Sequence, residues 1–296
     1  MKTPKRLQPL LDDGFIDEVL RPLMSGKEAA VYVVKAQDQL RCAKVYKEAS
    51  KRSFHNQAEY QEGRKVRNSR QARAMQKRTR FGRREQEEAW QNAEVDALYR
   101  LAAADVRVPK PHGFVDGVLI MDLILDGDGD VAPRLNDVEL TAAEARDYHQ
   151  VMMREIVKML SAGLIHGDLS EYNVLLAPEG PIIIDLPQAV DAAANNNAER
   201  MLTRDVDNMA RYFGSFAPEL LSIDYAGEIW SLFQLGNLSP EAPLTGTFKR
   251  SEKSADLAGV MREIDAALEE QARRTGGEEE GEQGDSEEPD DEWQDR

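Results

Sequence analysis

A chain of 296 residues can bury a full core in one or two domains, and its single cysteine, Cys42, excludes an intrachain disulfide and points to a reducing compartment. No apolar run approaches the length of a membrane span and the first residues lack the apolar core of a secretion signal, so a cytoplasmic chain without membrane contact is expected. The formal net charge of −16 is unevenly placed, with eleven acidic residues and one arginine in 276–296 but twelve basic residues and two glutamates in 51–84.

Residues 1–20 read as a short amphipathic lead-in packed on the first lobe, with Leu7, Leu10, Leu11, Phe15 and Ile16 near helical spacing and breaks at Pro9 and Gly14. Residues 21–47 read as a β-meander in which Val31–Val34 have strong strand character. The turn S-G-K-E between its first two strands presents backbone N–H groups, the Ser25 hydroxyl and the Lys27 charge. Such a turn either cradles a phosphate or only connects two strands. Lys44 sits in C-A-K-V-Y-K, where an apolar strand must turn it inward or let it snorkel. In a kinase-like lobe an inward lysine reaches the α/β-phosphates and needs a glutamate on the following helix. The candidate is Glu94 in A-W-Q-N-A-E-V-D-A-L-Y-R-L, beside an apolar face of Trp90, Ala93, Ala97, Leu98 and Leu101; Glu87 and Glu88 are weaker alternatives.

Between strand and helix lies a basic insertion from about Glu48 to Glu85, poor in large apolar residues. It reads as a mobile loop or a solvated helix, and its charge suits the phosphates of RNA. With only Phe54, Tyr60 and Phe81 interleaved, base stacking is not indicated. A second hairpin follows at Phe114–Val115 and Val118–Met121, turning at Asp116–Gly117. The strand then runs into D-G-D-G-D, read as a flexible hinge between two lobes; in a kinase-like fold Met121 to Ile124 would line an adenine pocket, with backbone groups of Asp122 and Ile124 reading the base edge. His112 reads as a loop residue rather than a catalyst.

Residues 141–162 form a helix, with Thr141 and Glu144 as a capping box and Gly163 as its stop. It delivers the chain to His166. From there I-H-G-D-L-S-E-Y-N-V-L-L-A-P-E-G-P-I-I-I-D reads as a hairpin of Val174–Leu176 and Ile182–Ile184. Asp168 and Asn173 precede its first strand and Asp185 follows its second, so closing the hairpin lets the three side chains converge. Two such oxygen donors suit a partly hydrated Mg²⁺, and a third handles a proton. Helices are expected at 198–213, carrying R-D-V-D-N, at 216–235 and at 252–274. The acidic tail 276–296 should be disordered, serving solubility or covering the basic segment as a nucleic-acid mimic.

Taken together, S-G-K-E-A at Ser25–Ala29, A-K-V-Y-K at Ala43–Lys47, H-G-D-L-S-E-Y-N at His166–Asn173, I-D-L-P-Q-A-V at Ile184–Val190 and R-D-V-D-N at Arg204–Asn208 resemble the RIO family of atypical serine/threonine protein kinases. With few residues ahead of these motifs, the resemblance is to the single-domain bacterial type without a winged helix. It implies an α+β, two-lobe kinase-like fold: residues 1–125 as a β-rich first lobe carrying the insertion, 126–275 as a helical second lobe, and 276–296 as the tail. It further implies Asp168 as the catalytic aspartate, Asn173 and Asp185 as Mg²⁺ ligands, Lys44 with Glu94 on the phosphates of ATP, and Ser25 and Lys27 in the phosphate loop. An ATPase cycle through a phosphorylated metal-binding aspartate would give Asp185 a second, catalytic role. Unlike ordinary protein kinases, the chain has Gly167 for an arginine and Ser170 for a lysine beside the transferring phosphate, and no A-P-E follows Asp185.

The expected activity is Mg-ATP-dependent phosphorylation of serine or threonine in proteins, itself included, or ATP hydrolysis. The alternatives are a small-molecule phosphotransferase related to aminoglycoside and choline kinases, which share H-G-D-x-x-x-x-N, and an ATP-gated factor binding the ribosome or RNA through residues 51–84.

Overall fold

The computed structural model describes residues 3–26, 28–47 and 80–248, all within one unit spanning Met1–Phe248. Lys27, most of the basic insertion, the helix expected at 252–274 and the acidic tail lie outside the described residues.

Short helix α1 (Gln8–Asp12) leads into strands β1 (Glu18–Ser25), β2 (Ala29–Ala36) and β3 (Gln39–Tyr46). After helix α2 (Arg80–Ala103) come β4 (Pro111–Val115) and β5 (Val118–Asp122), completing an antiparallel sheet in the order β1-β2-β3-β5-β4. The hairpin expected at Asp116–Gly117 turns there, and a second tight hairpin turns at Gln37–Asp38. Gln37 and Asp38 take φ of 51° and 59°, and Asp116 and Gly117 take 48° and 74°, the paired left-handed residues that match strand twist.

The two faces of this sheet bury different things, as the period of two in a strand requires. Ala43 and Val45 of β3 pack with Val118 and Ile120 of β5 against Leu7, Leu10 and Ile16 of the lead-in. Tyr46 and Leu119 face the main core with Val95, Leu98 and Leu101 of α2. Lys44 lies between Ala43 and Val45 and shares the second face with Tyr46.

Helix α2 starts at Arg80, inside the stretch read as insertion, because Arg, Gln and Glu favour helix wherever no core is needed. The chain after β5 is also tighter than its composition suggests. The D-G-D-G-D run, read as a flexible link, closes on itself: Asp126 Oδ1 accepts from the N–H groups of Asp128 and Asp130, and Leu125 bridges Val131.

The second lobe is led by α3 (Ala142–Ser161), with both arms of the Thr141/Glu144 capping box formed and Gly163 left-handed just past its end. Then follow β6 (Leu164–Ile165), the hairpin β7 (Val174–Ala177) and β8 (Gly180–Ile183), β9 (Val190–Asp191), α4 (Ala198–Gly214) and α5 (Tyr225–Gln234). The expected helix over 216–235 is split. Pro218 opens a 3-10 turn at Pro218–Ser222, and Asp224 restarts the chain as α5 by accepting the Gly227 N–H at 3.1 Å. This is the α+β, two-lobe arrangement expected: a strand-rich first part and a helical second.

Candidate active site

Two short pairings bring the polar residues together. β6 pairs antiparallel with β9, clamping the ends of the segment that runs from His166 to Gln188. β7 pairs with β8, and Ile184 donates its N–H to the Asn173 carbonyl at 2.9 Å. Asn173 and Asp185 thus flank one hairpin mouth. Asn173 also donates Nδ2 to the Asp168 carbonyl at 2.8 Å, which closes the loop between them.

Lys44 crosses from the first lobe to this mouth. Its Nζ lies 2.5 Å from Glu94 Oε1 and 2.9 Å from Asp185 Oδ1. The helix face carrying Glu94 differs slightly from expectation. Gln91, Glu94, Val95, Leu98 and Leu101 are buried together, so Glu94 sits within the buried stripe instead of beside it, at 4% exposure. Burial works against the Lys44 charge, but the Glu94 and Asp185 carboxylates outweigh it and hold its pKa well above 10.5. Burial likewise raises Asp185, yet the Lys44 charge and hydrogen bond lower it further, and its carboxyl sits below the usual range. Tyr46 lies beside this pair, with Lys44 Nζ 5.6 Å from its ring centroid.

Asp168 has the opposite bias. Burial is the largest influence and raises its pKa, the Asp185 charge adds to that, and His166 and Arg204 oppose it. Gln188 Nε2 donates to Asp168 Oδ2 at 3.3 Å. The backbone here is locally constrained: Gly167 adopts φ +81° and Asp185 φ +67°. A left-handed turn between His166 and Asp168 favours glycine, which gives a local reason for the absence of an arginine at 167. Asp185 tolerates the same conformation at a cost of about 1 kcal/mol or more, a pattern common at functional positions.

A second layer holds the loop, and sequence reasoning assigned it no role. Asp205 of α4 accepts the Gly167 N–H at 2.7 Å and the Leu169 N–H at 2.9 Å. Arg204 donates to the Gly167 carbonyl, and Asn208 Nδ2 donates to the Leu169 carbonyl at 2.8 Å. His166 donates Nε2–H to the Ile184 carbonyl at 3.1 Å and accepts the Asp168 N–H on Nδ1 at 3.3 Å, tying the Asp168 and Asp185 segments together. The signal available was the spacing of R-D-V-D-N, which places Arg204, Asp205 and Asn208 on one side of a helix.

The remaining expected residues are placed as follows. Ser25 ends β1 and takes a 3.0 Å bond from Lys47 Nζ, which also donates to the Gly26 carbonyl at 2.5 Å. Lys27 is outside the described residues. Asp122 donates its N–H to the Lys110 carbonyl at 2.9 Å, and its carboxylate pairs at 2.7 Å with both Arg41 and His112, away from the Lys44 cluster. Ile124 accepts the Ala132 N–H on its carbonyl at 3.0 Å.

A family model described as RIO domain matches residues 30–226. The RIO-type serine/threonine-protein kinase Rio1 of Haloferax volcanii is 34% identical over 205 residues, 69% of this chain and 66% of that protein. The protein of the same name from Methanocaldococcus jannaschii is 30% identical over 213 residues, covering 72% and 68% of the two chains. The human serine/threonine-protein kinase RIO1 is 30% identical over 215 residues, 72% of this chain but 36% of the human one. The chain thus spans between about a third and two thirds of the length of these relatives. The family model covers more than half of the chain, and the chain belongs to the RIO domain family.

Proposed function

We propose that this chain transfers the γ-phosphoryl group of Mg-ATP to serine or threonine hydroxyls of proteins, itself included, as a RIO-type kinase. The observation that carries the reading is the bonded line Glu94–Lys44–Asp185 joining the two lobes, with Asp168 beside it. The names of the relatives and the family membership favour a protein acceptor over a small hydroxylated one, and a catalyst over an ATP-gated binder.

In this reading the acceptor oxygen attacks the γ-phosphorus, its proton passes to Asp168, and the bond to the β-phosphate oxygen breaks to leave ADP. The raised pKa of Asp168 suits that proton. Lys44 holds the α/β-phosphates, and Ser25 and the backbone at Gly26 border the phosphates from the first lobe. Lys27 would add a charge to the same turn. The amide of Asp122 and the carbonyl of Ile124 are engaged within the protein, so the other backbone group of each would read an adenine edge. The lobes divide near residues 125 and 126.

Mg²⁺ fits the donor set. Nδ2 of Asn173 is turned to the Asp168 carbonyl, which leaves Oδ1 as the group to face a cation, and Asp185 is held ionised. Among the described residues no group of three or more His, Cys, Asp or Glu side chains could hold a metal ion, and the proposed site instead combines Asn173 and Asp185 with water and phosphate oxygens. Bound there, the ion would supply charge neutralisation to the phosphates.

In this reading the basic residues of 51–84 contact RNA or the ribosome, and the protein works in the cytoplasm. No described helix is long and apolar enough to cross a membrane.

The test is incubation with γ-labelled ATP and mass spectrometry of the product. The wild type should carry phosphoserine or phosphothreonine; Asp168→Ala should lose transfer by about a hundredfold or more while still binding ATP. Asp185→Asn should lose the metal-dependent part of ATP affinity. Release of free phosphate with no phosphoprotein would show hydrolysis as the turnover, and undiminished transfer by Asp168→Ala would refute the assigned roles.

A further inference from the structure

A triphosphate brings several negative charges to a cleft that already holds Asp168 and Asp185. Most described cations at its edge are engaged. Lys44 is bonded to two carboxylates, Lys47 to Ser25 and Gly26, and Arg204 to the Gly167 carbonyl. Arg134 differs. Its Nη2 lies 3.2 Å from the thioether sulfur of Met24, a weak acceptor, and among the described residues it pairs with no carboxylate.

The position of Arg134 is set by the second lobe. It forms an isolated antiparallel bridge with Leu175 of β7, and the neighbouring Pro133 carbonyl accepts the Leu176 N–H at 2.9 Å. Leu175 lies two residues after Asn173. At its other end the guanidinium reaches Met24 of β1, one residue before Ser25. Arg134 therefore spans the mouth of the cleft from the strand behind Asn173 to the strand before the phosphate turn, and its charge is felt at Asp185. It is half-buried, so its charge is less screened than that of a surface arginine. A planar guanidinium makes two parallel bonds to phosphate oxygens, which a thioether cannot match.

We propose that Arg134 is a phosphate-binding residue, whose guanidinium leaves the Met24 sulfur for the phosphate chain of a bound nucleotide and supplies the cation that Ser170 does not. The proposal rests on the kinase reading for the identity of the nucleotide, but not on turnover.

The test is calorimetric titration of the full chain, wild type, Arg134→Met and Arg134→Lys, with Mg-ATP, Mg-ADP and adenosine. Arg134→Met preserves an apolar reach toward Met24 and removes the charge. It should bind ATP and ADP about tenfold or more weakly while adenosine binding is unchanged, with Arg134→Lys in between. Equal ATP affinity in Arg134→Met overturns the proposal; so does an equal loss of adenosine binding, which marks a packing role. Wild-type protein that binds ATP but never transfers phosphate sinks the kinase reading and leaves the Arg134 comparison standing. Wild-type protein that binds no ATP overturns both.

Discussion

At Lys44 two opposing effects meet, and their order decides the chemistry. Burial to 12% side-chain exposure would discharge a lone ammonium, but two carboxylates within 2.9 Å keep it charged. The partners are not equivalent. Glu94 is deep in the α2 stripe, whereas the Asp185 side chain is 47% exposed at the mouth and available to a second cation. Glu94 is thus the fixed anchor, and under the proposed function Asp185 is the partner shared with a metal. Glu94→Gln leaves Asp185 as the only carboxylate on Lys44 and pulls it toward the proposed metal position. The variant should lose about tenfold to a hundredfold in kcat, the range of one charge-assisted hydrogen bond, with a smaller change in stability. Steady-state rates on the purified variant check this, and an unchanged kcat would remove Glu94 from the mechanism.

At the scale of elements, α4 is what shapes the loop around Asp168. Asp205 is 2% exposed, and burial raises its pKa from 3.8 to about 6, against the pull of His166, its two backbone N–H bonds and Arg204. A carboxyl whose folded pKa is raised contributes stability that is full below about pH 4 and falls as pH rises through about 6. His149 of α3, packed against Phe213 and Tyr225, has the reverse sign. Burial lowers its pKa from 6.5 to about 4, so its contribution is full above pH 6.5 and is lost as pH falls toward 4. The two slopes oppose each other in one window. Asp205→Asn should therefore gain more stability than the wild type between pH 4.5 and 6.5, by about 2 kcal/mol. Urea unfolding at both values measures it, and parallel slopes would refute the assignment. The same variant should slow phosphoryl transfer, because Asn offers one acceptor oxygen to the two loop N–H groups.

For the whole molecule, the segregation of charge matters more than its sum. A chain of net charge −16 should be repelled by nucleic acid unless the twelve basic residues of 51–84 act as a unit. If they do, binding of a single-stranded RNA should weaken by about a hundredfold between 50 and 200 mM salt, through counterion release. Replacing Arg64, Arg67, Arg70 and Arg73 with glutamine should flatten that response. Filter binding across the salt series checks both, and a salt-independent affinity in the wild type would eliminate this contact.

What could be read directly from the residues is local. The hairpin turn at Asp116–Gly117, the Thr141 cap and the loop from His166 to Asn173 are each specified within a few positions, by backbone preference or short hydrogen bonds. Lys44 facing away from Ala43 and Val45 follows from strand alternation alone. The tertiary structure decided the rest. It selected Glu94 as the partner of a lysine 50 positions earlier, bound Arg204, Asp205 and Asn208 to a loop more than 30 positions away, and set Arg134 across the cleft. Those contacts join segments far apart in the chain. Their geometry depends on how helices and sheet pack on a shared core, and no stretch of neighbouring residues carries that information.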